Sequence, residues 1–230
     1  MNIGFDVISD LNLTSNDFDW EGKATSLYCL IPGNISEDID IVRDVLTKLS
    51  MQYQGVFFID GSLEHIIIKD RDSRLREITK ITKIIKNLVF LHDNVVIVDS
   101  VALVGANGWH GNYTPQDTTC EIELVCAEYE DLSYLGSTVK KLQTHMDVKK
   151  IVLITNSVPL DKLHYGHVPK SYSDIALDAV LESDTEKKIS HWVFGSTDRI
   201  IDIMDDDINY VNNPKFTRMP YYAKRIEVLY

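Results

Sequence analysis

Short apolar runs alternate with helical periodicities along this chain. Residues 3–8 and 27–31 are apolar, short and bounded by polar turns, which predicts buried strands. Gly33 and Asn34 make a turn. Ser36 stands as an N-cap ahead of Glu37 and Asp38, whose charges suit the positive end of a helix dipole. Ile39, Val42, Val45, Leu46 and Leu49 then share one helical face, with Gly55 ending the helix and residues 56–59 forming the next strand. Leu75, Ile78, Ile81, Ile85 and Leu88 mark a second helix, with Lys80, Lys83 and Lys86 on its solvated face. Residues 95–98 and 101–105 predict paired strands. Asp117 or Thr118 opens a long helix carrying Ile122, Tyr129, Leu132, Leu135, Val139 and Leu142. A strand at 151–155, a helix at 174–181 and a strand at 191–194 follow. Residues 200–204 and 208–211 form a hairpin whose turn is Asp205-Asp206-Asp207, and 225–229 is a last strand. The alternation predicts an α/β fold with a layered sheet core and helices outside.

The strand ends carry the chemistry. Strand one runs into Ser9-Asp10-Leu11-Asn12, strand two into Pro32-Gly33-Asn34, and strand three into Asp60-Gly61-Ser62-Leu63-Glu64. Later strands end at Thr155-Asn156-Ser157-Val158-Pro159 and at Phe194-Gly195-Ser196-Thr197-Asp198. Ligand sites of α/β sheets gather at the carboxyl ends of strands, so five polar strand ends point to one cleft.

In order and spacing these segments resemble the calcineurin-like metallophosphoesterase family over essentially the whole chain. That family shows Asp-x-His, Gly-Asp, Gly-Asn-His-Asp/Glu, a lone His shortly before Pro, and Gly-His-x-His, each after a strand. Here Asp10 keeps its Asp and Asn12 replaces the first His. Gly33 is kept, and Asn34 stands at the metal-bridging Asp. Gly61 and Glu64 are kept, while Ser62 and Leu63 replace Asn and His. Asn156 replaces the lone His ahead of Pro159. Gly195 is kept, and Ser196 and Asp198 replace the last two His. Asn213-Pro214 resembles the family's closing Asn-Pro element. The resemblance implies a four-layer α/β/β/α arrangement, a two-sheet β-sandwich core flanked by helices, in one domain spanning residues 1–230.

The family reaction needs two metals roughly 3.5–4 Å apart that clamp phosphate oxygens and generate a hydroxide. Asn34 is neutral and cannot supply the bridging charge. Asn12, Asn156 and Ser196 remove the imidazoles that suit zinc, iron and manganese, and Leu63 removes a proton donor. Projected onto the family site, Asp10, Asn12, Asn34 and Asp198 surround one position and Asn34, Ser62, Asn156 and Ser196 the other. The first set, with carboxylates at Asp10 and Asp198, suits at most one weakly held hard cation: magnesium, manganese or calcium. The alternative role for both carboxylates is to bond backbone amides in their own turns.

His164 and His167 read as a surface loop near the cleft rather than a metal pair, because Gly166 and Pro169 break a helix. Residues 104–111, including Trp109 and His110, resemble a family loop whose aromatic residue borders the cleft. Packing is the plainer reading there. His65 follows Glu64, and a register slip would carry it toward the vacant His position, so Leu63, Glu64 and His65 join His110, His164 and His167 as candidate cleft-lining residues.

The chain has 230 residues, enough for a well-buried core, and its apolar content of 44% and charged content of 25% are those of a globular protein. The formal net charge of −12 argues against a nucleic-acid partner. No apolar run reaches the ~20 residues of a membrane span. The first residues lack the basic-then-apolar pattern of a secretory signal, which predicts a cytoplasmic location. Cys29, Cys120 and Cys126 have neither disulfide nor zinc spacing. Abundant Ile, Asn, Asp and Lys suggest an AT-rich genome, such as that of a phage or other virus. Two functions stay open: a catalytically inactive family relative acting through a protein partner or as a homo-oligomer, and a metal-dependent phosphoesterase or nucleotide-binding protein using the altered cleft.

Overall fold

The computed structural model describes residues 1–66, 70–109, 118–163, 174–215 and 220–230. One sheet has the order β11-β1-β2-β3-β4, with β1 (Asn2–Val7), β2 (Tyr28–Pro32), β3 (Gly55–Ile59), β4 (Leu88–Phe90) and β11 (Lys224–Leu229). The other has the order β5-β6-β7-β8-β10-β9, with β5 (Asn94–Val98), β6 (Val101–Gly105), β7 (Lys150–Thr155), β8 (Ile189–Phe194), β9 (Ile201–Asp205) and β10 (Ile208–Asn212). Within each sheet the central strands are parallel, and β11, β5 and β9 run antiparallel at the edges.

Three apolar layers hold the sheets and helices together. Phe5, Leu30, Phe57, Leu103, Val152 and Val193 fill the space between the sheets. Helices α1 (Ile39–Ser50) and α2 (Arg71–Ile84) cover the first sheet through Val42, Val45, Leu46, Leu49 and Ile78. Helices α3 (Thr118–Gln143) and α4 (Asp174–Glu182) cover the second through Leu135, Val139, Leu142 and Val180. Each such side chain stabilises the fold by about 1.5–3 kcal/mol on burial. The result is the four-layer helix–sheet–sheet–helix sandwich expected from the sequence.

Local expectations needed correction at four points. The N-cap of α1 is Asp38, whose carboxylate accepts the Asp40 N–H at 2.9 Å. Ser36 instead donates its hydroxyl to Leu13 O and accepts the Asp38 N–H, so it fixes the entry loop. Helix α1 stops at Ser50, and Gly55 opens β3 rather than closing the helix. Leu88 continues the helical spacing of α2 but begins the short strand β4, because Asn87 breaks away and bonds Ser50 O and Tyr53 O. Tyr129 lies on the solvent side of α3, 75% exposed, since the apolar seam there runs through Leu132, Leu135 and Val139. Asp206 and Asp207 form the β9–β10 turn, both in the left-handed region at φ 46° and 66°, while Asp205 ends β9 and pairs with Ile208.

Candidate functional site

The parallel strands of both sheets deliver their carboxyl ends to one side of the sandwich. Asp10 follows β1, Asn34 follows β2, Gly61 and Ser62 follow β3, Asn156 follows β7, and Ser196 follows β8. The turns are tight enough that Asp10, Asn12, Asn34 and Ser196 all take positive φ, between 47° and 59°. Asx side chains tolerate that region by bonding nearby backbone, as Asn12 does through Nδ2 to Asp10 O at 3.0 Å.

The side chains at the center are bonded to one another. Asn34 Nδ2 donates to Asp10 Oδ1 at 2.8 Å and to Ser196 Oγ at 3.2 Å. Asn34 Oδ1 accepts from Leu63 N–H at 3.0 Å and from Ser62 Oγ at 3.4 Å. A backbone donor on one side and a carboxylate on the other fix which end of the amide is nitrogen. Asn156 is fixed the same way. Its Nδ2 donates to Pro32 O at 2.8 Å, and its Oδ1 accepts from Ser62 N–H at 3.2 Å and Ser196 Oγ at 2.9 Å. Ser196 N–H closes the ring by donating to Asp10 Oδ1 at 2.9 Å.

Glycines make room for this ring. A Cβ on Gly33 would stand 2.7 Å from Asn156 Nδ2 and from the Gly61 backbone, and one on Gly61 would stand 2.6 Å from Asn156 Nδ2. Gly33 also sits at φ 80°, where a side chain is strained.

Asp10 is 3% exposed, and its Oδ2 has no hydrogen-bond partner among the described residues. Burial pushes its carboxyl up to about 6, against the pull of the Asn34 and Ser196 bonds. Asp198 is exposed at the rim. Asp10, Asn12, Asn34, Ser196 and Asp198, with Thr197, Pro214 and Lys215, line a shallow cavity of about 270 Å³. The structure therefore groups the first projected set around this cavity, and ties Ser62 and Asn156 to it through Asn34 and Ser196.

Two residues expected to line the cleft do not. Glu64 is 1% exposed and accepts the N–H groups of Gly61, Asn34, Ile35 and Ser36 at 2.5–3.3 Å. It clamps the β2 and β3 end loops together from below. Burial pushes its carboxyl up to about 7, and the backbone donors pull against that. His65 does not slip toward the cleft. Its Nε2 lies 2.6 Å from Asp60 Oδ2 and its ring meets Trp109 edge-on. Leu63 is half-buried beside Asn34. His110, His164 and His167 lie outside the described residues.

A second polar cluster went unnoticed in the sequence. Asp60 pairs with His65 and, at 3.7 Å, with His92. Burial alone would raise the Asp60 carboxyl, but the bonds and charges of the two imidazoles hold it well below the usual range. Asn107 donates to Asp60 O and ties this cluster to the cleft floor, since Asn156 N–H bonds Asn107 O. Asp131 reaches in from α3 to accept the Gly108 N–H at 2.6 Å. Burial and the charge of Asp93 push its carboxyl up to about 7. Asp60 stands in the third strand-end segment and Asn107 falls within the 104–111 loop; nothing local marks His92 or Asp131.

Neither protein-family models nor curated proteins match this sequence. Solved structures do. The phosphopantetheinyl hydrolase PptH from Mycobacterium tuberculosis matches with a TM-score of 0.63 at 13% identity, over 96% of this chain and 95% of that one. The fold is that of the calcineurin-like metallophosphoesterases. A protein assigned as a 5′-nucleotidase from Staphylococcus aureus, in complex with alpha-ketoglutarate, matches at 0.54 and 12% identity. The match covers 93% of this chain and about half, 49%, of that one. GAP50, the anchor in the inner membrane complex of Plasmodium, matches at 0.51 and 11%, over 92% of this chain and 71% of that one. Identities this low carry the fold alone.

The side chains present do not fit the two-metal group of that fold. Among the described residues, no three His, Cys, Asp or Glu side chains form a metal-holding set. At the position that the resemblance projects as the metal bridge, the Asn34 amide points N–H donors at Asp10 and Ser196, where a metal pair requires acceptors carrying charge. Among the described residues, no helix is long and apolar enough to cross a membrane.

Proposed function

We propose that this chain is a catalytically silent metallophosphoesterase-fold protein that acts by association with a protein partner or with itself. The observation that supports this most is the Asn34 amide. It spends both N–H groups and its oxygen on Asp10, Ser196, Ser62 and Leu63, so the ring of side chains is closed by hydrogen bonds that metal coordination would have to break. Replacement at the bridging Asp, four imidazole positions and the leaving-group His together removes charge, donor softness and proton supply at once. A protein of the same fold, GAP50, is an anchor in a membrane complex, which sets a precedent for a structural role.

A second reading is favoured by one atom. Asp10 Oδ2 is buried without a hydrogen-bond partner among the described residues, at the edge of the cavity that Asp198 also lines. A single magnesium, manganese or calcium ion held between these carboxylates would stabilise it, and Asn12 would then face a phosphate or sugar. The result would be a slow phosphoesterase or a nucleotide-binding protein.

Turnover separates the two. The protein is reconstituted separately with manganese, magnesium, zinc and calcium, and assayed on a generic phosphodiester and a phosphomonoester beside the Asp10→Ala, Asp198→Ala double variant. The first reading expects no turnover above that variant with any metal. Turnover that the double variant abolishes establishes the second.

A further inference from the structure

The second polar cluster holds two facing atoms that do not bond. His92 Nδ1 and Asp60 Oδ1 are 3.7 Å apart, too far for a hydrogen bond, and neither has another hydrogen-bond partner among the described residues. Asp60 is fully buried, and His92 is only partly so. A tilt that brings the two atoms about 1 Å closer makes an ordinary bond. The ring is held for such a tilt rather than for a larger swing. It stacks on Phe90 with ring centroids 5.6 Å apart and planes 13° from parallel. The preceding Leu91 is buried and donates its N–H to Phe58 O at 2.8 Å.

Charge decides when that gap closes. Among the described residues, the titratable groups around the ring are Asp60 from the end of β3, His65 from the turn at Ser62–His65, Asp93 next in the chain, Glu130 and Asp131 from α3, and Arg71 from α2. Asp60 already holds His65 through its other oxygen at 2.6 Å. Arg71 lies over the Trp109 ring, 5.0 Å from its centroid. The four carboxyl groups thus share one permanent cation, and a proton on His92 adds positive charge among them. Burial pulls the His92 imidazole down, but the attraction of Asp60, Asp93 and Asp131 outweighs it and holds the ring above its ordinary 6.5. An imidazolium donates from both nitrogens, and its bond to a carboxylate is roughly twice as strong as a neutral one.

Asp60 also props the cleft from below. Its carbonyl accepts Asn107 Nδ2 at 2.7 Å, and Asn107 O accepts the N–H groups of Asn156 and Ser157 at 3.0 and 3.2 Å. Asn156 in turn bonds Pro32 O and Ser196 Oγ, so it joins strand ends of both sheets. His92 itself lies between β4 and β5, where the chain crosses from one sheet to the other. We propose that His92 is a proton-operated latch on the cleft floor: protonated, its Nδ1–H closes onto Asp60 Oδ1 and holds the Asp60–Asn107–Asn156 chain in place; neutral, it lets that chain loosen. A group raised in the folded state contributes fully below its ordinary value, here 6.5, and loses that contribution as pH rises through the folded value. The cleft floor therefore tightens in mild acid and loosens in mild base.

The latch stands apart from the metal question: turnover in the cleft would overturn the function proposed above and leave this inference intact. Nuclear magnetic resonance of the whole chain from about pH 5 to 9 reads both the His92 ring and the exchange protection of the Asn156 backbone N–H. His92 is expected to titrate with a midpoint above 6.5, and Asn156 protection to fall at least about tenfold as pH rises through it. His92→Gln keeps a side-chain donor and cannot titrate, so that fall is absent while the changes due to Asp10 and Glu64 remain. Asp131→Asn removes a charge that holds the proton on His92, so it lowers the His92 midpoint and the Asn156 transition together. A His92 midpoint at or below 6.5, or an Asn156 protection that ignores it, overturns the proposal. So does a fall that survives in His92→Gln. Should neither variant fold, the first two results in the unmodified chain still decide it.

Discussion

At the scale of single residues, an amide, Asn34, stands where the resemblance projects a carboxylate. Asn34 Nδ2 lies 2.8 Å from Asp10 Oδ1, so Asn34→Asp exchanges a donor for a second buried negative charge. That substitution is expected to destabilise the protein by roughly 2–4 kcal/mol at pH 7, and much less in acid, where the two carboxyls share a proton. Denaturant midpoints at the two pH values check it. Asp131 tests a different kind of burial. Its folded value of about 7 lies above the ordinary 3.8, so its contribution to stability is complete below pH 3.8 and lost as pH rises to 7. The loss is on the order of a few kcal/mol. Asp131→Asn keeps an acceptor for Gly108 N–H and cannot titrate. Its stability profile is expected to be flatter between pH 4 and 7, with the remaining slope due to Asp10 and Glu64, whose carboxyls are raised as well. An unchanged slope would show that Asp131 is not buried as described.

At the scale of elements, the cleft is a set of loops pinned by few side chains. Asn156 joins the β2 end to the β3 and β8 ends through Pro32 O, Ser62 N–H and Ser196 Oγ. Asn156→Ala leaves buried groups unpaired and is expected to cost about 2–3 kcal/mol in a denaturant melt. Asp38→Ala removes the α1 cap and costs about 1 kcal/mol, measured the same way. Most of these elements were legible in the sequence because burial imposes its period: the α1 face and the apolar β2, β3, β7 and β8 runs follow directly. Boundaries were less legible. Leu88 keeps the α2 spacing, and only the distant Ser50 and Tyr53 carbonyls, through Asn87, end the helix and free β4. The site was legible as an ordered series of strand ends. Its inner wiring was not, since Glu64 and Asn156 could not be told from cleft-lining groups until the loops that they clamp were placed around them. His65 was the sharpest case: its partner Asp60 is five residues away, and the spacing gave no sign that the ring turns inward.

At the scale of the whole molecule, two sheets bring their parallel strand ends to one side, and this chain keeps that architecture while changing the residues it presents. The glycines persist because the loops touch: a Cβ on Gly33 or Gly61 would strike Asn156 whether or not a metal is present. The most direct test is to follow the Asn34 side-chain amide by nuclear magnetic resonance while manganese is added in excess. The account predicts slowly exchanging Asn34 Nδ2 protons whose signals stay sharp, together with those of Ser62 and Ser196, because the ring is closed by its own hydrogen bonds. Paramagnetic broadening of these signals at stoichiometric manganese would place metal inside the ring and contradict it.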